Sequence, residues 1–289
     1  MEQQETPHIF NSNNQQLLGI AHTPAELFTD VGVVIVVGGP QYRVGSHRQF
    51  ILLARSLAAY GIPVFRFDYH GMGDSDGAKS DFNEVQHDIR SAIDEFQQHT
   101  PAIKRVALWG LCDAASASLF YGYSDERVCG MVLLNPWVRT EEGEAKAYLK
   151  HYYLQRMFSK EFLLKVLSGK FNPFSSLSSL FGFISKAKKS NRSQSEVVTA
   201  VESPCHGGLR EKMLCGFQRF SGKGLVILSG DDLTSQEFQD MVKSSKDWQA
   251  LMAEKRVTVK HLHEANHTFS RQEWRAQVED WTRDWVKAL

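Results

Sequence analysis

A thiol, a carboxylate and an imidazole can together carry nucleophilic catalysis, and this chain places one of each just past an apolar run. Cys112 lies in "VALWGLCDAAS", where a strand-like run meets a tight turn and then a helix-forming stretch. Gly110 and Ala114 flank it two positions away, and small residues there let strand and helix approach while the turn residue takes a strained conformation. Asp231 and Asp232 follow "GLVILSG", and His267 follows "VTVKHLHEA". A helix N-terminus beside an imidazole lowers a thiol pKa from about 8.5 and raises its thiolate fraction. Cys112 is therefore the expected nucleophile. His267 would take its proton and later activate water or another acceptor, and Asp232 would orient His267. Asp232 is preferred to Asp231 because the turn needs its acid just beyond the strand, and Asp231 is the alternative.

A tetrahedral oxyanion needs two backbone N–H donors. Asp113, the residue after the nucleophile, is expected to give one. The other should come from the loop after "VVIVV", which reads Gly38-Gly39-Pro40-Gln41. Pro40 has no N–H, so Gln41 is the candidate, by its backbone and also by its side chain. Arg43, His47 and Arg48 lie in the same loop. Arg43 and Arg48 could bind a substrate carboxylate or phosphate, or these residues could form ion pairs with Asp74, Asp76 or Asp113.

Other groups read as structural. Cys129, inside "VCGMVLL", is expected to fill the core. His261, His263 and His267 could form a metal cluster, but no nearby Cys or carboxylate pair supports one, and neither metal nor cofactor is expected. "GMGDSDG" lacks the G-x-G-x-x-G spacing of a dinucleotide loop and does not open the first strand–helix–strand unit.

The elements that must position these residues alternate. "HIF" and "LLGIAHT" flank "NSNNQQ" as an N-terminal hairpin. "VGVVIVV" is a β-branched run typical of a strand buried on both faces, and "PVFRFDY", "RVALW", "VCGMVLLN", "GLVILSG" and "VTVKHLHEA" are further strands. Apolar residues at helical spacing mark helices over His47–Tyr60 and Asp81–His99, and from Ser270, where Trp274, Val278, Trp281 and Trp285 share a stripe. Such alternation implies an α/β fold, a mostly parallel sheet with helices on both faces. In a sheet of this kind ligands bind beyond the carboxyl ends of the strands, where the residues above fall.

One interval breaks the rhythm. Residues 137–222 are far longer than a usual crossover and read as an inserted helical lid, between core segments 1–136 and 223–289. Within it, Glu144–Lys170 and Leu209–Phe220 have helical patterns, and "FSSLSSLFGFISKAKK" has the apolar-then-basic order of a peripheral membrane contact. The alternative for part of it is a basic surface loop.

Composition bounds the partners. Lys plus Arg and Asp plus Glu both number 33, so nothing marks the chain as a nucleic-acid binder. Four cysteines without metal spacing fit reduced thiols. The first residues lack a basic stretch followed by an apolar one, and the longest apolar run is too short to span a bilayer. A cytoplasmic protein is expected.

The order Cys112, Asp232, His267 is that of the α/β-hydrolase fold, "GLCDA" matches its nucleophile elbow, and "RFDYHGMGDSDG" resembles its D-x-x-G-x-G-x-S turn. With "VVGGPQYRVGSHRQF", "SGDDLTSQEF" and "NHTFS", the chain resembles the type 1 hydrolases associated with the exosortase A system. The superfamily resemblance spans nearly everything outside the lid, and the narrower one rests on the quoted motifs. It implies an α/β hydrolase from a bacterial setting of exopolysaccharide production and protein sorting, with no substrate assigned. The oxyanion loop departs from the superfamily's common His-Gly-X form. Cysteine with Asp and His partners also occurs in dienelactone hydrolases, which the chain resembles at this turn.

A thiolate attacking an ordinary ester is the better leaving group and is expelled again, whereas with a thioester or activated lactone forward collapse competes. The expected partner is thus a small-molecule acyl donor, carrier-linked or bound to coenzyme A. The expected activity is an esterase- or thioesterase-like acyl hydrolase. Acyl transfer to a sugar or alcohol is the alternative, and a non-catalytic binding protein on the same fold is a third reading.

Overall fold

The computed structural model describes residues 3–39, 41–139 and 205–289. The chain divides into two compact units, Met1–Val138 with Cys205–Leu289, and Arg139–Pro204. The elements that follow belong to the first. They build one eight-stranded sheet from β1 (Gln3–Ser12), β2 (Gln15–Pro24), β3 (Val31–Val36), β4 (Val64–Phe67), β5 (Arg105–Leu111), β6 (Val128–Leu134), β7 (Lys223–Asp231) and β8 (Val257–Asn266). The strand order is β1-β2-β4-β3-β5-β6-β7-β8. Strands β3 to β8 run parallel, and the β1–β2 hairpin joins β4 antiparallel.

All six residues of β3 are buried because helices cover both faces. Val34 and Val36 enter one core with residues of α2 (Gln86–His99), α3 (Asp113–Tyr121), α4 (Leu209–Arg219), α5 (Leu233–Ser244) and α6 (Lys246–Met252). Val31, Val33 and Ile35 enter the other with α1 (Gln49–Ala59) and α7 (Gln272–Lys287). Each such side chain contributes roughly 1.5–3 kcal/mol when fully buried. Two-sided burial therefore makes the sheet a stiff platform for what projects from its ends.

The expected α/β-hydrolase architecture is the one observed, with local differences that have physical causes. The hairpin turns on two residues, Asn13 and Asn14, with φ of 46° and 65°. That is the left-handed pair a tight hairpin demands, and asparagine tolerates it, so the flanking polar residues extend the strands instead of forming a loop. Helix α2 begins at Gln86, five residues later than its apolar spacing suggests, after a turn in which the Asp81 carboxylate accepts the Asn83 N–H. Two helices, α5 and α6, connect β7 to β8 where no helix was expected.

The long interval also differs from its expected limits. Helix α4, placed above in the lid, packs Met213 and Phe217 into the first core. Residues 140–204, which hold the remaining lid and membrane-contact expectations, lie outside the described residues. The reading of all four cysteines as reduced is corrected: Cys205 and Cys215 form a disulfide. A spacing of ten residues carried no signal for it, because the pairing arises only when the chain folds back along α4. Among the described residues no helix is long and apolar enough to cross a membrane.

Candidate active site

Cys112 stands at the carboxyl end of β5 as the N-cap of α3, with φ 64° and ψ −123°. A side-chain-bearing residue in such a conformation costs about 1–3 kcal/mol and persists only when its surroundings hold it. Here the Cys112 N–H donates to Leu134 O at 2.8 Å, and its carbonyl accepts from Ala115 and Trp137 at 3.1 and 3.2 Å. The expected role of the small flanking residues is visible at Gly110, where a Cβ would lie 2.6 Å from the Ala114 carbonyl. The thiol is half-buried and sits at the positive, N-terminal end of α3. Cys129 instead lies within β6, donates to Val106 O at 3.5 Å, and has its pKa raised by burial.

Asp232 and His267 meet across the ends of β7 and β8. His267 Nδ1 is 2.9 Å from Asp232 Oδ2. Asp232 is also the N-cap of α5, accepting the N–H groups of Thr234 and Ser235 at 3.1 and 3.2 Å. Three contacts thus fix one carboxylate, whose side chain is only 7% exposed. Asp231, the alternative, is the exposed last residue of β7 and pairs in register with Asn266.

The His267 turn is itself braced. The Asn266 side chain donates to Ser270 Oγ at 2.8 Å and accepts the Ser270 N–H at 3.0 Å. From beneath, buried Asn135 donates to Ser229 Oγ at 2.8 Å and His267 O at 3.3 Å, and accepts the Ser229 N–H at 2.9 Å. Asn135 was not singled out from the sequence. Its signal was the polar residue ending "VLLN", at a backbone φ of 42° that asparagine accepts more readily than most. The three-histidine grouping does not form. His261 and His263 stack on β8 at 5.8 Å, while His267 turns to Asp232.

The loop after β3 carries an unexpected contact. The Gly39 N–H donates to Asp113 Oδ2 at 2.8 Å. Asp113 is thus engaged through its side chain, beside the backbone N–H expected to serve an oxyanion. Burial raises its pKa, against lowering by the Gly39 N–H and nearby His267. Gln41 turns its side-chain oxygen into its own loop, accepting the Ser46 N–H at 3.0 Å.

Arg43 follows the ion-pair reading. Its guanidinium pairs with Asp68 and with Asp74, the latter at 2.7 Å. Fully buried Asp68 also accepts the N–H groups of Arg43 and Asp74 at 2.6 and 3.1 Å, and its carbonyl accepts the Ser75 hydroxyl at 2.7 Å. A Cβ at Gly73 would lie 2.2 Å from Asp68 Oδ2, so the D-x-x-G-x-G-x-S turn uses its glycine for close approach to this hub. His47 and Arg48 are exposed, at φ 53° and 62°.

A family model described as serine aminopeptidase, S33, matches residues 31–197. No curated protein sequence matches the chain. Among solved structures, the esterase Pf2001 of Pyrococcus furiosus superposes with a TM-score of 0.62 at 15% identity, over 98% of this chain and 92% of that one. Est1E of Butyrivibrio proteoclasticus, solved with ferulic acid bound, gives 0.60 at 11% identity over 96% and 97%. A putative α/β hydrolase of Agrobacterium tumefaciens gives 0.57 at 16% identity over 98% and 97%. At these identities the likeness is one of fold.

Proposed function

The chain belongs to the serine aminopeptidase S33 family of α/β hydrolases, and from that premise we propose that it is an acyl hydrolase working through an acyl-cysteine intermediate. The observation that carries the reading is the strained, half-buried Cys112 at the β5 elbow, in a chain whose His267–Asp232 pair is built at the ends of β7 and β8. His267 removes the Cys112 proton, and the thiolate attacks the acyl carbon. The tetrahedral oxyanion collapses with departure of the donor's leaving group, which takes the proton from His267. Water, deprotonated by His267, then attacks the acyl-cysteine and releases a free acid and the thiol. Asp232 holds the imidazole through Nδ1, which leaves Nε2 for the proton transfers. The Asp113 N–H and the Gln41 N–H serve the oxyanion.

A cysteine in this place suits a donor whose leaving group is as good as a thiolate, so the substrate is a thioester or activated lactone. The motif resemblance to exosortase-associated hydrolases supports a role for that reaction beside exopolysaccharide metabolism. Intact-protein mass after brief exposure to acyl thioesters and activated esters tests it, with Cys112→Ala alongside. A mass gain in the parent alone, mapped to Cys112, is expected. Free-acid release that is insensitive to added sugars or alcohols identifies hydrolysis over transfer. No gain across the panel, with a thiol also inert to alkylation, removes the reading.

A further inference from the structure

At the edge of the sheet, four strands from β5, the N-terminal hairpin meets the last turn of α2. Glu95 and His99 are four residues apart on α2, which puts both on one helix face. His8 reaches them from β1. Its Nδ1 lies 2.9 Å from Glu95 Oε1, and His99 Nδ1 lies 3.1 Å from the same oxygen. One ligating atom from each of the three residues can be chosen so that all lie within 4.8 Å of one another. A zinc ion with bonds near 2.1 Å separates its tetrahedral ligand atoms by about 3.4 Å, so small side-chain shifts open this triangle around a cation.

We propose that His8, Glu95 and His99 form a binding site for a divalent transition-metal ion, with zinc the fitting chemistry. Two imidazoles and one carboxylate are a borderline-soft donor set that suits zinc over magnesium or calcium. The set is partly shielded. The His8 and Glu95 side chains are 9% and 14% exposed, and the His8 ring rests edge-on against Phe65 with centroids 5.8 Å apart. His99 is 47% exposed, so a cation has an open approach and water completes its shell. Nitrogen ligation requires each Nδ1 to be free of its proton. An imidazole meets that by carrying its proton on Nε2. The bound ion would staple β1 to α2, and it takes no part in chemistry at Cys112.

The test uses the full chain without a histidine tag, in a Cys112→Ala background so that the thiol cannot bind metal. Zinc and cobalt(II) chlorides are the probes. Free zinc at 100 times its Kd raises the folding equilibrium constant about 100-fold, read as a rise in Tm. Cobalt gives d–d absorption bands. His99→Gln, at the most exposed ligand and therefore the least disruptive to folding, is expected to abolish the bands and weaken zinc binding at least tenfold. His261→Gln/His263→Gln is expected to change neither. Loss of binding in the β8 variant but not in His99→Gln overturns the proposal. So does equal binding in all three proteins, or no binding to the Cys112→Ala protein.

Discussion

Asp232 does two things with one carboxylate, and a substitution can separate them. It caps α5 through Thr234 and Ser235, and it holds His267 through Oδ2. Asparagine caps a helix about as well as aspartate, so Asp232→Asn should keep most of the cap and forfeit only a helix-dipole contribution of roughly 0.3–1 kcal/mol. A Tm lowered by a few degrees at most follows for a chain of this size. The amide cannot hold the imidazole in the same tautomer or stabilise its charged form. In a catalytic triad that exchange lowers kcat by about 10⁴, near 5.5 kcal/mol of transition-state stabilisation. Asp232→Ala loses the cap as well, for a further ~1 kcal/mol of stability with little added effect on turnover. Thermal unfolding and single-turnover acylation of Cys112 by a thioester read the two quantities separately. Asparagine turnover within tenfold of the parent, at unchanged Tm, would refute an orienting role. Activity lost only in proportion to stability across both variants would make Asp232 a cap and nothing more.

Two further perturbations follow from the packing. Gly38→Ala sets a Cβ 2.1 Å from Asp113 Oδ1 and 2.9 Å from Ala114 N, and is expected to cost about 1–3 kcal/mol. Repeated in an Asp113→Ala background, the penalty should fall by at least half, a coupling that a double-mutant cycle in urea measures; strict additivity would show that the backbone alone is limiting. Buried His22 accepts a hydrogen bond from Arg66 Nε at 2.8 Å and has its pKa lowered to about 4, mainly by burial. The lowered value means that stability from neutral His22 is present above pH 6.5 and is lost as pH falls toward 4, by roughly 3 kcal/mol in all. An NMR titration that finds His22 protonating near 6.5 contradicts this.

The sheet was readable because its signal is local. β-branched runs such as Val31–Val37 have no stable place except between two helical layers, and Gly61, at φ 80°, marks the end of α1 as its type suggests. The elbow was readable for a similar reason, since Gly110 and Ala114 report a steric demand within five residues of sequence. The choice between Asp231 and Asp232 turned on a strand end, and two-residue helix and strand limits decide whether a carboxylate caps a helix or faces outward. What stayed hidden depends on distant pairings. Asn135 acts through Ser229 and His267, His8 meets Glu95 only after the hairpin docks, and Cys205 finds Cys215 only when the chain folds back. For Arg43 the sequence leaves anion binding and ion pairing both open, because Asp68, its buried partner, sits at another strand's end and shows no sequence sign of facing it.

The departures from the common hydrolase pattern are physically one change. An aspartate directly after the elbow cysteine needs a hydrogen-bond donor for its buried carboxylate, and the Gly39 N–H supplies it. That carboxylate in turn leaves no room for a side chain at position 38, where a Cβ would overlap Oδ1, so the bulky residue of His-Gly-X is excluded there. With Gly39 committed and Pro40 lacking an N–H, the loop has fewer donors to spare for an oxyanion than a His-Gly-X loop has. An ionised Asp113 would further oppose negative charge building on a substrate oxygen. Both effects disfavour a neutral hydroxyl nucleophile, which depends on a well-furnished oxyanion hole. Under the proposed acyl-cysteine mechanism both are milder, because a thiolate formed before substrate arrives would attack a thioester carbonyl that is already activated. On that reading Cys112, Asp113 and the Gly38-Gly39-Pro40 loop belong together, and Cys112→Ser alone is not expected to confer ordinary esterase chemistry, as hydrolysis of simple aryl esters would check.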